Sequence, residues 1–208
     1  MTIYGAGASR VYPARVPDFN YWRTMIKCQA ACPVRTDSRG YVRAIADGQP
    51  ELAYLIARGP NPLASICGRV CGAPCETNCR RGDLDQPIAI RALKRFVCER
   101  FGPEAQPAGG KSLLEFVKTA ARRHPPRQCQ DREELLPLLQ ALTAGIVSRV
   151  NGKSVGIIGS GPAGLAAAHD LALLGFSVTI YEMEPIVGGM LAVGIPHYRL
   201  PRDLIRAE

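Results

Sequence analysis

Apolar residues recur three and four positions apart through much of the first hundred residues, the spacing of helices with one buried face. The stretches SRGYVRAIADGQ and PELAYLIARG carry this pattern, and each is followed by Gly or Pro punctuation. A third stretch, PIAIRALKRFVCERFG, has Pro87 near its start and Gly102 past its end, which is typical of a helix. The pattern predicts a small domain of short helices over residues 1–105.

Beyond residue 105 the pattern changes twice. The segment GPEAQPAGG has linker composition, and two apolar-periodic stretches after it predict a helical linker or arm over residues 106–152. From Lys153 onward an apolar run, KSVGIIG, is followed by the alanine- and leucine-rich GPAGLAAAHDLALLG and by a second apolar run, FSVTIYE. Continuous apolar runs are typical of strands buried in a parallel sheet. Residues 153–208 are therefore predicted to contain one strand–helix–strand unit.

Composition narrows the class of protein. The chain has 208 residues, of which 47% are hydrophobic, and a net charge of +8. It has neither a secretory signal pattern nor an uninterrupted apolar stretch of about 20 residues, so we predict a soluble, cytoplasmic protein without a membrane span. The positive charge is scattered and no nucleic-acid-binding signature accompanies it, so no nucleic-acid partner is expected.

The number and spacing of the cysteines indicate a metal-binding or redox function. Seven of the eight precede residue 105, and four of them lie at four-residue intervals in CGRVCGAPCETNC. In a reducing compartment such clustering indicates metal or redox use rather than disulfides. One unbroken helix would separate Cys67 from Cys79 by roughly 18 Å, too far for one centre. Either the helix breaks at Gly72 and Pro74, or the cysteines are divided among different partners.

Two metals compete for these thiols. Zinc is commonly held by four thiolates, but its ligands usually come in pairs with two-residue gaps. The three-residue gaps and the Cys-Pro of this chain are closer to ferredoxin usage and favour iron–sulfur.

A glycine-rich turn, GSGPAG, joins the first predicted strand to the helix, and Glu182 ends the second strand 18 residues after Gly164. In dinucleotide-binding units the first glycine permits a tight turn, the second lets the backbone approach the pyrophosphate, and the third lets helix and strand pack. Helix amides then face the phosphates, and the acidic residue binds the ribose. By geometry alone the unit fits FAD or NAD. The candidate residues are Gly159, Ser160, Gly161, Pro162, Ala163, Gly164 and Glu182.

The tail EPIVGGMLAVGIPHYRLP resembles the segment after the second strand in flavoproteins related to the glutamate synthase small subunit and dihydropyrimidine dehydrogenase. CQAACPVRTD, NPLASICGRVCGAPCETNCRRG and PIAIRALKRF resemble the iron–sulfur motifs of the same family. The resemblance implies an α plus α/β fold: an all-helical [4Fe-4S] domain of the α-helical ferredoxin type, then the first βαβ unit of a Rossmann-like FAD-binding domain. It adds Gly189, Met190, Leu191 and Arg199 to the cofactor-binding candidates.

The resemblance also implies a first set of cluster ligands. In the family one [4Fe-4S] cluster is held by the cysteines matching Cys32, Cys71 and Cys75 and by a Gln or Glu at the position of Lys94. Lysine cannot ligate while charged. Cys67 is the candidate replacement, so the expected set is Cys32, Cys67, Cys71 and Cys75.

The second cluster of the family is less complete in this chain. It would keep Cys28 and Cys79, because Arg23 and Asn20 stand where the family has its first two cysteines. The sequence leaves open whether a second cluster forms. Two cysteines could supply missing ligands, although a buried core thiol is favoured for Cys98 and an exposed free thiol for Cys129.

The implied function is electron transfer by a FAD- and iron–sulfur-dependent NAD(P)H oxidoreductase, toward an acceptor on a redox partner protein or catalytic subunit. One strand–helix–strand unit cannot enclose FAD, and no second Rossmann motif for NAD(P)H is present. We therefore expect the chain to be part of a longer or split oxidoreductase, within an oligomer or multi-subunit complex, and not catalytically complete alone. The alternative is a non-catalytic iron–sulfur adaptor that docks on a larger redox complex.

Overall fold

The computed structural model describes residues 25–105 and 152–208, together with positions 17, 18, 21, 116, 119, 120, 122 and 123. Most of the predicted linker and arm therefore lies outside the described residues, as do Asn20, Arg23 and Cys129. In the described ranges, no helix has the length and apolar character needed to cross a membrane.

Short helices build the N-terminal domain, as the apolar periodicity predicts. They are α1 (Lys27–Ala30), α2 (Ser38–Ala46), α3 (Pro50–Arg58), α4 (Ala64–Val70), α5 (Pro74–Thr77) and α6 (Ile90–Phe101), with 3-10 turns at Arg80–Asp83 and Pro103–Ala105. The last helix begins at Ile90, three residues beyond Pro87, and Gly102 follows its final residue.

Local capping explains where these helices begin. The Asp37 side chain accepts a hydrogen bond from the Gly40 amide at 2.8 Å and caps α2. Pro50 occupies the first turn of α3, where its missing N–H costs nothing. Glu76 of α5 accepts a hydrogen bond from the Arg91 amide at 2.7 Å, which joins α5 to the first turn of α6.

The apolar faces of α2, α3, α4 and α6 meet in one core. Its fully buried members in these helices are Tyr41, Ala44, Ala53, Tyr54, Leu55, Ala57, Ala64, Ile90, Val97 and Cys98. Phe116, one of the few described residues of the arm, packs on this core with its ring centroid 6.1 Å from that of Tyr54. Burial of these side chains is the main source of stability in a domain of this size.

A single hydroxyl in this core offers a test of the packing. Tyr41 donates a hydrogen bond to the Ile90 carbonyl at 3.1 Å. Tyr41→Phe removes this buried hydrogen bond and should lower the free energy of unfolding by about 0.5–1.5 kcal/mol. Tyr54→Phe is the matched control, because the Tyr54 hydroxyl is buried and no described residue lies within hydrogen-bonding geometry of it. Thermal melting followed by circular dichroism should show a lower Tm for Tyr41→Phe only; equal melting would contradict the assignment.

The C-terminal part contains the predicted strand–helix–strand unit. Strand β1 (Ser154–Ile158), helix α7 (Pro162–Leu173) and strand β2 (Ser177–Tyr181) follow in order. The two strands pair in parallel, from Ser154 opposite Ser177 to Ile158 opposite Tyr181. Two short helices, α8 (Met190–Val193) and α9 (Arg202–Ala207), complete the described chain.

The prediction that both strands are buried is wrong for the structure as described. Exposed and half-buried residues alternate along each strand, and Ile158 and Tyr181 are 94% and 63% exposed. A parallel strand is buried on both faces only when helices cover both. Among the described elements only α7 packs against the sheet in this way, so one face stays open.

A second apolar core joins the two parts. Ile66 of α4 packs there with residues that follow β2: Leu191, Ala192, Leu200, Leu204 and Ile205. Next to it, the Glu208 carboxylate accepts hydrogen bonds from the Ser65 and Ile66 amides, each at 2.9 Å, and from Arg58 at 3.3 Å. The segment after β2 is thereby held against the helix that carries Cys67.

Candidate metal centre and nucleotide-binding site

The cysteine run does not form one helix. Helix α4 ends at Val70, Cys71 is extended with φ −60° and ψ 138°, and Pro74 starts α5. The predicted break is therefore confirmed. Its left-handed residue is Ala73, with φ 54°, rather than Gly72. A left-handed conformation costs a non-glycine residue roughly 1–2 kcal/mol, so the surrounding contacts must hold the turn in place.

Four cysteines from separate elements line one cavity. Cys32 lies just after α1, Cys67 lies on α4, Cys71 lies in the break, and Cys75 lies on α5. The rest of the wall is Pro33, Ser38, Tyr41, Ala73, Pro74, Arg91 and Lys94. The structure thus brings together the four thiols expected to hold the first cluster.

Cys28 and Cys79 lie apart from that wall. Burial raises the pKa of the Cys28 thiol. Cys28 is on α1 and Cys79 follows α5, and these two helices pack together. Arg23 and Asn20, which stand at the positions of the two missing cysteines, lie outside the described residues.

Burial favours the protonated form of two cavity thiols, Cys67 and Cys75, when no metal is bound. It raises the pKa of Cys75 to about 11, with Glu76 adding to the effect, and it raises the pKa of Cys67. The charge of Lys94 opposes both shifts. Metal ligands must be thiolates, so binding would release protons from this site.

Cys98 belongs to the hydrophobic core, as the sequence favoured. It is 1% exposed, and burial raises the pKa of its thiol to about 12. The structure does not place it among the residues that line the cavity.

The donor set fits an iron–sulfur cluster. A cluster of four irons offers a separate metal atom to each thiolate, so its ligands must surround a volume rather than meet at one atom. The four thiols do surround a volume, and among the described residues no three Cys, His, Asp or Glu side chains converge as a single-ion site. The wall is otherwise largely apolar, and Lys94 and Arg91 are its positively charged residues.

The glycine-rich turn has the geometry that the sequence predicts. Gly159 follows β1 with φ +94°, a left-handed conformation that favours glycine. Gly161 precedes the first residue of α7, Pro162. A Cβ on residue 164 would lie only 2.1 Å from the Gly159 carbonyl oxygen, so strand end and helix approach too closely for a side chain there.

Glu182 is fixed by hydrogen bonds. The Ser160 amide donates to its carboxylate at 2.8 Å, the Ser160 hydroxyl donates as well, and the Glu184 amide donates at 2.9 Å. These bonds, with that of the Ser160 hydroxyl foremost, lower the pKa of Glu182 to about 2. The ionised carboxylate has about four acceptor positions and therefore keeps capacity for a ribose hydroxyl.

The sequence did not reveal the internal role of Ser160. Its side chain is fully buried, and its hydroxyl also accepts a hydrogen bond from the Gly188 amide at 3.0 Å. This links the glycine-rich turn, the end of β2 and the glycine pair at 188–189. The sequence feature that could have indicated this role is a serine inside the turn followed by an acidic residue 22 positions later.

The remaining cofactor-binding candidates do not all lie at the glycine-rich turn. Gly189, with φ +52°, lies against Gly161, where an added Cβ would be 3.0 Å from the Gly161 Cα. Met190 is 69% exposed beside it. Leu191 packs into the second apolar core, and Arg199 is exposed. Gly189 and Met190 are therefore close to the turn, whereas the Leu191 side chain is committed to packing.

Two family models match this chain, one over the N-terminal helical domain and one over the strand–helix–strand unit. Residues 24–105 match the family described as dihydropyrimidine dehydrogenase domain II, 4Fe-4S cluster, and residues 157–194 match the NAD(P)-binding Rossmann-like domain. The chain is 42% identical over 207 residues to the NADP(+)-dependent formate dehydrogenase subunit beta of Moorella thermoacetica, covering 98% of this chain and 27% of that relative.

Two further relatives show the same pattern of coverage. The NADPH-Fe(3+) oxidoreductase subunit beta of Geobacter sulfurreducens (strain DL-1 / KN400) is 37% identical over 87% of this chain and 22% of its own. The NAD-dependent dihydropyrimidine dehydrogenase subunit PreT of Salmonella typhimurium is 34% identical over 87% of this chain and 36% of its own. The chain thus spans between 22% and 36% of the length of these relatives.

Proposed function

We propose that this chain, which belongs to the family of iron–sulfur NAD(P)H oxidoreductases related to dihydropyrimidine dehydrogenase, is an electron-transfer module that works between NAD(P)H, FAD and an acceptor on a partner subunit. The observation that carries the proposal is the cavity lined by Cys32, Cys67, Cys71 and Cys75, in the same chain as a dinucleotide-binding turn. When bound, a flavin can accept two electrons as a hydride and release them one at a time, and an iron–sulfur cluster carries single electrons, so together they would connect a hydride donor to a one-electron acceptor.

Each group of residues has a proposed role. The four cavity cysteines hold one [4Fe-4S] cluster, and Cys28 with Cys79 contribute to a second. The turn from Gly159 to Gly164 binds the pyrophosphate of FAD at the start of α7, and Glu182 accepts from the ribose. The proposal of FAD rather than NAD rests on the resemblance of the tail.

The packing of the two parts supports their working as one unit. The apolar contacts of Ile66 and the buried Glu208 hold the segment after β2 against α4. That helix carries Cys67, and Cys71 follows it. A fixed distance between flavin and cluster favours electron transfer, which weakens steeply with separation.

The names of the relatives and the need for reduced thiols also suggest the assembly and the compartment in which the protein works. Two of the relatives are named as beta subunits, so we propose that this protein also acts within a multi-subunit complex. We place it in the cytoplasm, where thiols stay reduced and available to iron. The acceptor would then belong to another subunit or domain.

Cysteine variants test the metal centre. The anaerobically purified chain should be brown, contain about four irons per cluster, and give a [4Fe-4S] EPR signal after reduction by dithionite. Cys71→Ser and Cys75→Ser should each lose most of that iron and the signal. Cys98→Ser is the control, since this buried thiol does not line the cavity, and it should keep both.

Other outcomes decide between the alternatives. A colourless protein with stoichiometric zinc would contradict the iron–sulfur assignment. Iron without any flavin, even after incubation with FAD, would instead support the adaptor function for this chain. Equal iron loss in Cys98→Ser and Cys71→Ser would mean that the cavity is not the metal centre.

A further inference from the structure

Lys94 is a buried cation without an anionic partner among the described residues. Its side chain is 9% exposed, and α6 places it on the wall of the cavity that the four cysteines line. In the described ranges, no hydrogen bond or ion pair involves its Nζ. Its recorded contact is with the Tyr41 ring, whose centroid lies 5.9 Å from Nζ. Burying an ammonium ion without a partner is costly, so a charge of opposite sign is expected nearby.

The other charged groups at the cavity are already engaged. The Arg91 guanidinium donates to the Cys71 carbonyl at 2.6 Å. The Glu76 carboxylate accepts from the Arg91 backbone amide at 2.7 Å and so caps α6. The anionic groups that remain to balance Lys94 at this wall are the cysteines once metal binding converts them to thiolates. The charge of Lys94 acts on two of them, Cys67 and Cys75.

We propose that Lys94 is the counter-cation of the metal centre: its ammonium group balances the thiolate-ligated cluster and raises the cluster's reduction potential. The inference rests on the proposed function, because it needs a cluster in this cavity. Reduction adds one negative charge, and cluster potentials respond to nearby charge and to solvent exclusion. A fixed positive charge in a poorly solvated wall therefore stabilises the reduced form more than the oxidised one.

Lys94 would thus act without ligating. The resemblance places a Gln or Glu ligand at this position, and this chain has instead a cation that cannot bind iron while charged. With Cys67 on the cavity wall, four thiols are present and the ligand set does not need this side chain. The residue at position 94 then adjusts the reduction potential of the cluster instead of binding an iron.

A redox titration of the anaerobically purified chain, followed by EPR, tests the proposal. Lys94→Met keeps the length of the side chain and removes its charge, so its cluster should titrate at a more negative potential than the native one. Lys94→Arg keeps the charge and should stay close to the native potential. Lys153→Met removes an exposed lysine charge and is the matched control, expected to leave the potential unchanged.

The outcomes separate this proposal from the one on which it rests. A native chain without a [4Fe-4S] signal would contradict the proposed function. A native signal with an unchanged potential in Lys94→Met would overturn the role of Lys94 alone. If Lys94→Met loses the cluster, retention in Lys94→Arg supports the need for charge, and loss in both shows a purely steric role and overturns the proposal.

Discussion

Gly164→Ala should abolish flavin binding and destabilise the strand–helix–strand unit. The added methyl group would stand 2.1 Å from the Gly159 carbonyl oxygen, and this contact is between two stretches of backbone. Neither side can move away by a change of rotamer, so the start of α7 must shift away from the end of β1. Forced overpacking of this kind typically costs about 1–3 kcal/mol, and the displaced turn no longer presents its amides to a pyrophosphate.

Gly161→Ala is the matched substitution. Gly161 has φ −65°, which alanine adopts readily, and a Cβ there meets no atom within 4 Å. The fold should therefore persist, while the methyl group occupies space that the pyrophosphate needs.

Flavin content, FAD titration and thermal melting distinguish the two variants. Gly164→Ala should lose FAD and melt at lower temperature, whereas Gly161→Ala should lose FAD with nearly native melting. Native FAD affinity in Gly161→Ala would contradict the assignment of this turn to the pyrophosphate.

Glu208→Gln should weaken the contact between the two parts of the chain. The carboxylate is fully buried, and Arg58, its ion-pair partner, has a side chain only 5% exposed. Breaking a buried ion pair from one side leaves the other charge uncompensated and typically costs about 3–5 kcal/mol. Glutamine also has a single acceptor oxygen, so the Ser65 and Ile66 amides at the start of α4 cannot both keep their bonds to separate oxygens.

Asp47→Asn is the control for this change. It also converts a paired carboxylate to an amide, but the pair with Arg43 is exposed, at 3.6 Å. Such pairs contribute about 0–1 kcal/mol. Hydrogen exchange should be faster at Ser65 and Ile66 in Glu208→Gln only, with a lower Tm. Native protection of these amides would show that Glu208 does not secure α4.

Several helices and strands could be predicted from the sequence because residues a few positions apart determine them. Periodicity identified α2, α3 and α6, and the glycine-rich turn with Glu182 identified the order β1, α7, β2. Gly72 and Pro74 signalled the break in the cysteine run, although the strained residue is Ala73. Among the described residues the two strands are not buried as predicted, because an apolar sequence shows that a strand can be covered but not which elements cover it.

The sequence by itself determined the helices, the glycine-rich turn, the division of the cysteines by spacing and resemblance, and the family. These depend on neighbours a few residues apart or on motifs that can be read along the chain. The resemblance also predicted the set Cys32, Cys67, Cys71 and Cys75, but only the tertiary structure showed that these four thiols line one cavity, because the packing of separate elements brings them together. The tertiary structure alone showed Lys94 buried among those thiols and Glu208 paired with Arg58 across 150 residues, since burial and long-range pairing arise from the packed chain and carry no local signal.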